Sequence, residues 1–260
     1  MKRPFTGNRL FFRILLIILP FCISCDIINP EEDIPSYIRI ESVDFSITGT
    51  PGGNTHNITD VWADLDGKVL GVFELPAIFP VLAEGPHTIL LKPGIKTNGI
   101  SDVRTVYPFY TNFELDTLFE PGNIIEICPD YKYKPEADRD DWQEDFEISG
   151  IITLEASSVS DVELVVIDDP EKDGNHIGAI YLDDSNPSFD GFTKDGIDVP
   201  SGISEIYLEF DYQCNNEISV GLLINTPGQV VAKWALGINR HPVRNRIYID
   251  LSDHIWTQNL

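Results

Sequence analysis

The sequence predicts an all-β protein built as two β-sandwich domains in tandem. Three observations carry that expectation. Apolar residues alternate with polar ones in short segments, and no long stretch repeats at the helical period. Gly and Pro are frequent, at 19 and 18, and several of them cluster in stretches such as "GTPGGNTHN" that read as loops. The part that follows the leader is about 235 residues, enough for two sandwiches of ~100 residues each.

The leader comes first. Lys2, Arg3, Arg9 and Arg13 make the first residues basic, and no acidic residue precedes Asp26. Ile14 to Leu19 is an uncharged apolar run extended by Pro20, Phe21 and Ile23. Basic and then apolar is the order of a secretory signal peptide. The run is shorter than the ~20 apolar residues a spanning helix needs, and no stop-transfer segment follows, so the rest of the chain is expected outside the bilayer. Cys22-Ile23-Ser24-Cys25 closes the run with no Cys or His pair nearby, which argues against a redox or zinc site. It resembles a bacterial lipobox, with Ser24 as the small residue before the modified Cys25; Cys22 departs from the Leu expected there. The resemblance implies a signal peptide over 1–24 and lipidation of Cys25, anchoring the chain without a transmembrane helix. Plain secretion with cleavage nearby is the alternative.

Residues 1–24 hold four of the 18 basic side chains and none of the 42 acidic ones, leaving 14 basic against 42 acidic, a net charge of −28. That excess excludes nucleic acid, whose binding needs Lys and Arg on the phosphates. It also disfavours an anionic membrane surface. Carboxylates remain available for cations. Cys128 and Cys214 fall in different predicted domains and are expected as buried thiols rather than a disulfide.

Residues 25–36 form a tether rich in Pro and acid, expected to stay extended and to hold the first domain near the membrane. The first domain covers 37–134. "YIRIESVDFSI" alternates as a half-buried strand, and "GTPGGNTHN" is a loop. "ITDVWADLDGKVLGVFEL" is a hairpin whose Asp66-Gly67 pair suits a type I′ turn. "PAIFP" is expected to break the ladder. "HTILLK" reads as a strand, "PGIKTNG" as a loop, "VRTVYPFY" as an edge strand interrupted by Pro108, and "NIIEIC" as the last strand. The linker is placed at 135–141, within "PDYKYKPEADRDDWQEDFE".

The second domain covers 142–260. "ISGIITLEA", "DVELVVI" and "IGAIYL" are strand-like, and "DDSNPSFDGFTKDGIDVPSG" is a long loop. "ISEIYLEFDYQ" alternates sharply, with Ile206, Leu208, Phe210 and Tyr212 on one face and Tyr207, Glu209 and Asp211 on the other. "EISVGLLIN", "QVVAKWAL" and "RIYIDLS" complete the set.

"EIYLEFDYQCNNEISVGLLI", the acidic "DWQEDFE" and the terminal "NRIYIDLSDHI" resemble jelly-roll domains of the carbohydrate-binding-module type, found at the C-terminus of many Bacteroidota lipoproteins. The first half resembles the immunoglobulin-like or transthyretin-like sandwich of the same lipoproteins. The resemblance implies a jelly roll for the second domain and an outer-membrane, lipid-anchored protein of the cell envelope, on its periplasmic or its cell-surface side. It also implies a Trp before the last strand, where this chain has "HPVRNR"; His241 or Arg244 would have to take its place. Asp116-Thr117-Leu118 resembles the short O-glycosylation pattern of these bacteria.

No nucleophile elbow, HExxH, Walker A or GxGxxG motif occurs, so an enzyme is not expected. Glu209-Phe210-Asp211 resembles the start of the three-acid strand of jelly-roll glucanases, but Cys214 stands where the third acid belongs. Asp169 to Gly174 begins like a calcium loop and then has Ile180 at the position of the bidentate Glu, so it reads as an acidic hairpin turn. By resemblance, calcium would be held by Glu144, Asp145 or Glu147 with Asp250. Sugar recognition needs exposed aromatic faces beside polar groups. The candidates are Trp62, Tyr107, Tyr110 and Tyr207 with Glu209 and Asp211, whereas Trp234, in step with Val230, Ala232 and Leu236, is expected in the core. The expected role is glycan-binding or adhesive, with polysaccharide as partner; the alternative is a scaffold or accessory subunit of an outer-membrane complex.

Overall fold

A computed structural model describes residues 32–46, 55–135, 137, 142–148, 152–172, 174–199, 204–226 and 228–256. The signal peptide, Cys25, most of the tether and most of the 135–141 linker lie outside them. Among the described residues the fold is all-β, with one short helix, α1 (Ser252–Trp256). No described helix is long and apolar enough to cross a membrane.

The first half packs two sheets face to face. One has the order β5 (Ala77–Val81), β1 (Ser36–Ile40), β9 (Ile124–Glu126). The other runs β4 (Lys68–Glu74), β3 (Asp60–Leu65), β6 (Gly85–Lys96), β7 (Arg104–Val106), with β8 (Phe113–Phe119) also paired to β6. Alternation sends Ile38 and Ile40, Val61 and Ala63, Phe79 and Val81, and Ile89 and Leu91 into the shared core with Phe119. A small parallel pair, β2 (Asp44–Phe45) with β10 (Asp130–Tyr131), lies beside it. The Asp66-Gly67 hairpin forms as its sequence predicts, with φ of 49° and 77°, the two positive values a type I′ turn requires.

Three strand expectations in this half are corrected. "PAIFP" does not end pairing: β5 runs through Pro80, because β5 is an edge strand and Pro80 needs no partner on its open side. β6 continues through Pro93 to Lys96 instead of stopping at Lys92. Its neighbour β8 ends at the Leu91–Phe113 pair and β7 begins at Gly94–Val106, so Pro93 falls in the gap where no donor is asked for. "VRTVYPFY" is a strand only over Arg104–Val106.

In the second half pairing divides into four ladders: β11 (Leu154–Ala156) with β14 (Gly191–Thr193), β12 (Val165–Asp168) with β13 (His176–Ala179), β15 (Tyr207–Cys214) with β18 (His241–Asp250), and β16 (Ile218–Thr226) with β17 (Gln229–Ile238). β14 lies inside the segment expected to be loop. Ile238, Ile247, Ile249 and Leu251 form the buried cluster here, flanked by Leu208, Phe210 and Val220.

The acidic turn between β12 and β13 is clamped onto β18. Asp169 accepts two hydrogen bonds from Arg244, both 2.7 Å, and a third from the Glu171 amide. Arg244, one of the two residues expected to stand in for a Trp, thus faces a carboxylate. The Arg244 hydrogen bonds hold the Asp169 carboxyl down at about 2, below the usual 3.8. A depressed carboxylate stabilises the fold above its unfolded pKa and loses that contribution as pH falls through the folded value. The stability difference between the wild type and Asp169→Asn, from urea unfolding, should therefore be full at pH 5 and should shrink between pH 3.8 and about 2.

Candidate functional site

Five of the six residues singled out for ligand binding come together where the two halves meet, with Tyr107 and Tyr110 buried, Tyr207 and Glu209 half-buried and Asp211 exposed at the rim. Tyr107 and Tyr110 are 1% and 0% exposed, so their expected surface placement is corrected: both belong to a buried aromatic cluster with Phe45, Ile95, Tyr131 and Tyr248. Pro108 sits in a tight turn after β7, and that turn swings both rings inward. Tyr207 is half-buried edge-on to Tyr107, with ring centres 5.2 Å apart. Glu209 faces the same cluster. Tyr107 Oη donates to its Oε1, and Tyr133 Oη donates to its Oε2 at 2.5 Å.

The counter-charge is Arg246 on β18, in register with Asp211. Its guanidinium donates to Glu209 Oε2 at 2.7 Å, to Tyr133 Oη at 3.2 Å, to Thr55 Oγ1 at 2.8 Å and to Asp211 at 3.4 Å. Thr55 Oγ1 in turn donates to Asp211 Oδ2 at 2.6 Å. Burial works against the Arg246 charge, yet the facing Tyr133, Glu209 and Asp211 hold its pKa above the usual arginine value. Burial also pushes the Tyr133 and Tyr207 hydroxyls up to about 12, and holds Tyr107 and Tyr110 well above the usual tyrosine value.

Tyr248 completes the junction. Its ring lies 4.8 Å from Tyr107, its hydroxyl pairs with Tyr110 Oη at 2.9 Å, and that hydroxyl accepts the Asn57 amide at 2.9 Å. The Asn98 amide donates to the Tyr248 carbonyl at 2.8 Å, and the Asp250 amide to Asn98 Oδ1 at 2.9 Å. Chemically this is a weld between the halves, with one donor, the buried Arg246 Nε, left without a partner. Both Glu209 oxygens already accept protein donors, and Arg246 lies between the two acids.

The other candidates lie elsewhere. Trp62 is half-buried on the outer face of β3, where its Nε1 donates to the buried Asp60 at 3.1 Å. Glu144 accepts the Phe146 amide and both donors of Thr153. Asp145 accepts the Glu147 amide at 3.0 Å. Glu147 accepts the His176 amide and ring, and Asp250 caps α1 through the Ser252 amide. These acids do not converge on one point: among the described residues no three His, Cys, Asp or Glu are grouped to hold a metal. Cys128 is an exposed free thiol rather than a buried one, and Cys214 is free and half-buried. Asp116-Thr117-Leu118 lines a shallow depression of about 470 Å³ with Asp66, His87 and Thr88. There His87 binds Asp66 at 2.6 Å through Nδ1 and the Glu84 carbonyl at 3.1 Å through Nε2. The Asp66 and Glu84 oxygens raise the His87 pKa, and with both nitrogens facing acceptors no ring nitrogen is left to activate Thr117.

The exposed aromatic face is one that periodicity misplaced. Trp234 is 67% exposed, with Val230 and Leu223 at 60% and 56%. Trp234 stands opposite Gly221, Ala232 opposite Leu223, and Val230 opposite Asn225. A Cβ at Gly221 would lie 3.2 Å from the indole Cε3 and 2.6 Å from the Lys233 carbonyl, so glycine lets the ring lie against the neighbouring strand. Ser219, Gly221, Leu223, Asn225, Val230, Ala232 and Trp234 face outward, and none carries charge. Lys233 turns to the other face, where it donates to the His254 carbonyl at 3.1 Å. Compared with protein-family models, with curated proteins and with solved structures, the chain matches none.

Proposed function

We propose that the chain is a lipid-anchored, non-catalytic binding protein of the cell envelope that takes a neutral glycan on the outer face of β16 and β17. The observation that supports this reading is the Trp234 platform: a flat, exposed indole with aliphatic neighbours and the amide of Asn225, free of charge in a chain of net charge −24. Sugar rings offer an apolar C–H face for stacking and hydroxyls for an amide. An aromatic anchor with a few polar groups around it serves both. Charged polymers find no counter-charge on this face. The engaged state of Glu209 and Asp211 supports the non-catalytic part, since a glycosidase needs two carboxylates free to address one bond.

A central aromatic anchor contributes about 2 kcal/mol or more. Trp234→Ala should therefore weaken binding to a neutral polysaccharide at least ~30-fold by calorimetry, with an unchanged urea midpoint. A wild-type chain that binds no member of a broad neutral-glycan panel, with its tryptophan emission unmoved, sinks the proposal.

A further inference from the structure

A second apolar surface lies where the chain enters the fold. Ile38 and Ile40 of β1 point into the core, so Tyr37 and Arg39 point out. Tyr37 stands in register with Pro80 of β5 on one side and Ile124 of β9 on the other. Ile124 is 42% exposed, Ile78 on β5 is 56%, and Leu82 just beyond β5 is 71%. Ile34, two residues before β1, is 66% exposed and neighbours the Gly122 turn. The cation on this face, Arg39, is neutralised by Glu126 at 3.0 Å and Glu41 at 3.8 Å. The result is an apolar row across three strands, in register, bordered by a paired charge.

Chain length decides what covers it. Eight residues lie between Cys25 and Ile34, and the nine steps from one to the other span at most ~30 Å when fully extended. An acylated Cys25 therefore keeps this face within a short reach of the bilayer. The geometry points to a docking surface: Ile34, Tyr37, Ile78, Pro80, Leu82 and Ile124 rest on the headgroup region of a zwitterionic lipid surface. This inference depends on the lipid anchor proposed above. Aliphatic and Tyr side chains suit that boundary, and the chain's net negative charge excludes an anionic leaflet. The anchor holds the chain at the membrane; the row fixes which side faces down.

The test compares the full lipidated protein on phosphatidylcholine vesicles with the Cys25→Ala chain in solution, using carbene labelling of side chains read by mass spectrometry. Labelling of Tyr37, Ile78, Leu82 and Ile124 should be lost on vesicles and retained in solution, with Trp234 labelled equally in both. The double variant Leu82→Asp, Ile124→Asp should float with the vesicles and regain labelling at Tyr37. If the lipidated wild type floats but its row is labelled as in solution, the docking surface is overturned while the anchor stands. A chain that carries no acyl mass and does not float overturns both. Protection already present in the Cys25→Ala chain assigns the row to a second copy if it grows with concentration, or to the tether if it does not. Either result overturns the membrane as occupant.

Discussion

Tyr248→Ala should destabilise the whole chain by about 3–5 kcal/mol, the range for deleting a large buried aromatic. The ring is 1% exposed and packed against Tyr107 and Tyr110, and its hydroxyl accepts the Asn57 amide. The cost should appear in both halves. Hydrogen exchange should show faster opening of β6 amides, which lie in the first half, together with those of β15 and β18. Tyr248→Phe keeps the ring and gives up the hydroxyl, so about 1–3 kcal/mol should go, the cost of unsatisfied buried donors. If Tyr248→Ala accelerates exchange in β15 and β18 while β6 keeps its protection, the halves are not welded by this residue.

Arg246→Ala should cost a comparable 3–5 kcal/mol, because breaking a buried ion pair strands the partner charge. The side chains of Arg246 and Glu209 are 16% and 14% exposed, and Tyr107 and Tyr133 would remain beside an uncompensated carboxylate. The Arg246→Met, Glu209→Gln double variant should recover a large part of the loss, since a neutral pair no longer buries charge. A double-mutant cycle measures this directly. Losses that add with no coupling would place Arg246 outside the network.

How far the sequence reaches is visible in single strands. β3, with Val61 and Ala63 inward and the Asp66-Gly67 turn after it, is legible because one face is apolar and the turn chemistry is local. β18 is legible as a strand, but its partners are not: Arg246 reads as a surface charge until β15 is laid beside it and Asp211 meets it in register. Tyr107 and Tyr110 read as edge aromatics because a tight turn at Pro108 hides the direction of the rings. Trp234 fails for a different reason. β17 carries apolar residues on both faces, Val230, Ala232 and Trp234 on one and Val231 and Ala235 on the other, so a period of two cannot tell solvent from core. The weld escapes sequence reasoning because its members are up to 191 residues apart.

That separation also sets an order of events. Tyr110 meets its hydroxyl partner 138 residues later in the chain, and Asn57 meets the same group after 191. A chain emerging from its N-terminus leaves the aromatic cluster of its first half open until Tyr248 arrives. Contacts this distant slow folding, because loop closure precedes any gain from them. The two cores of the first half are therefore completed at different times: the one between its sheets needs nothing beyond Ile127, whereas the aromatic cluster gains its last member only when β18 has been made.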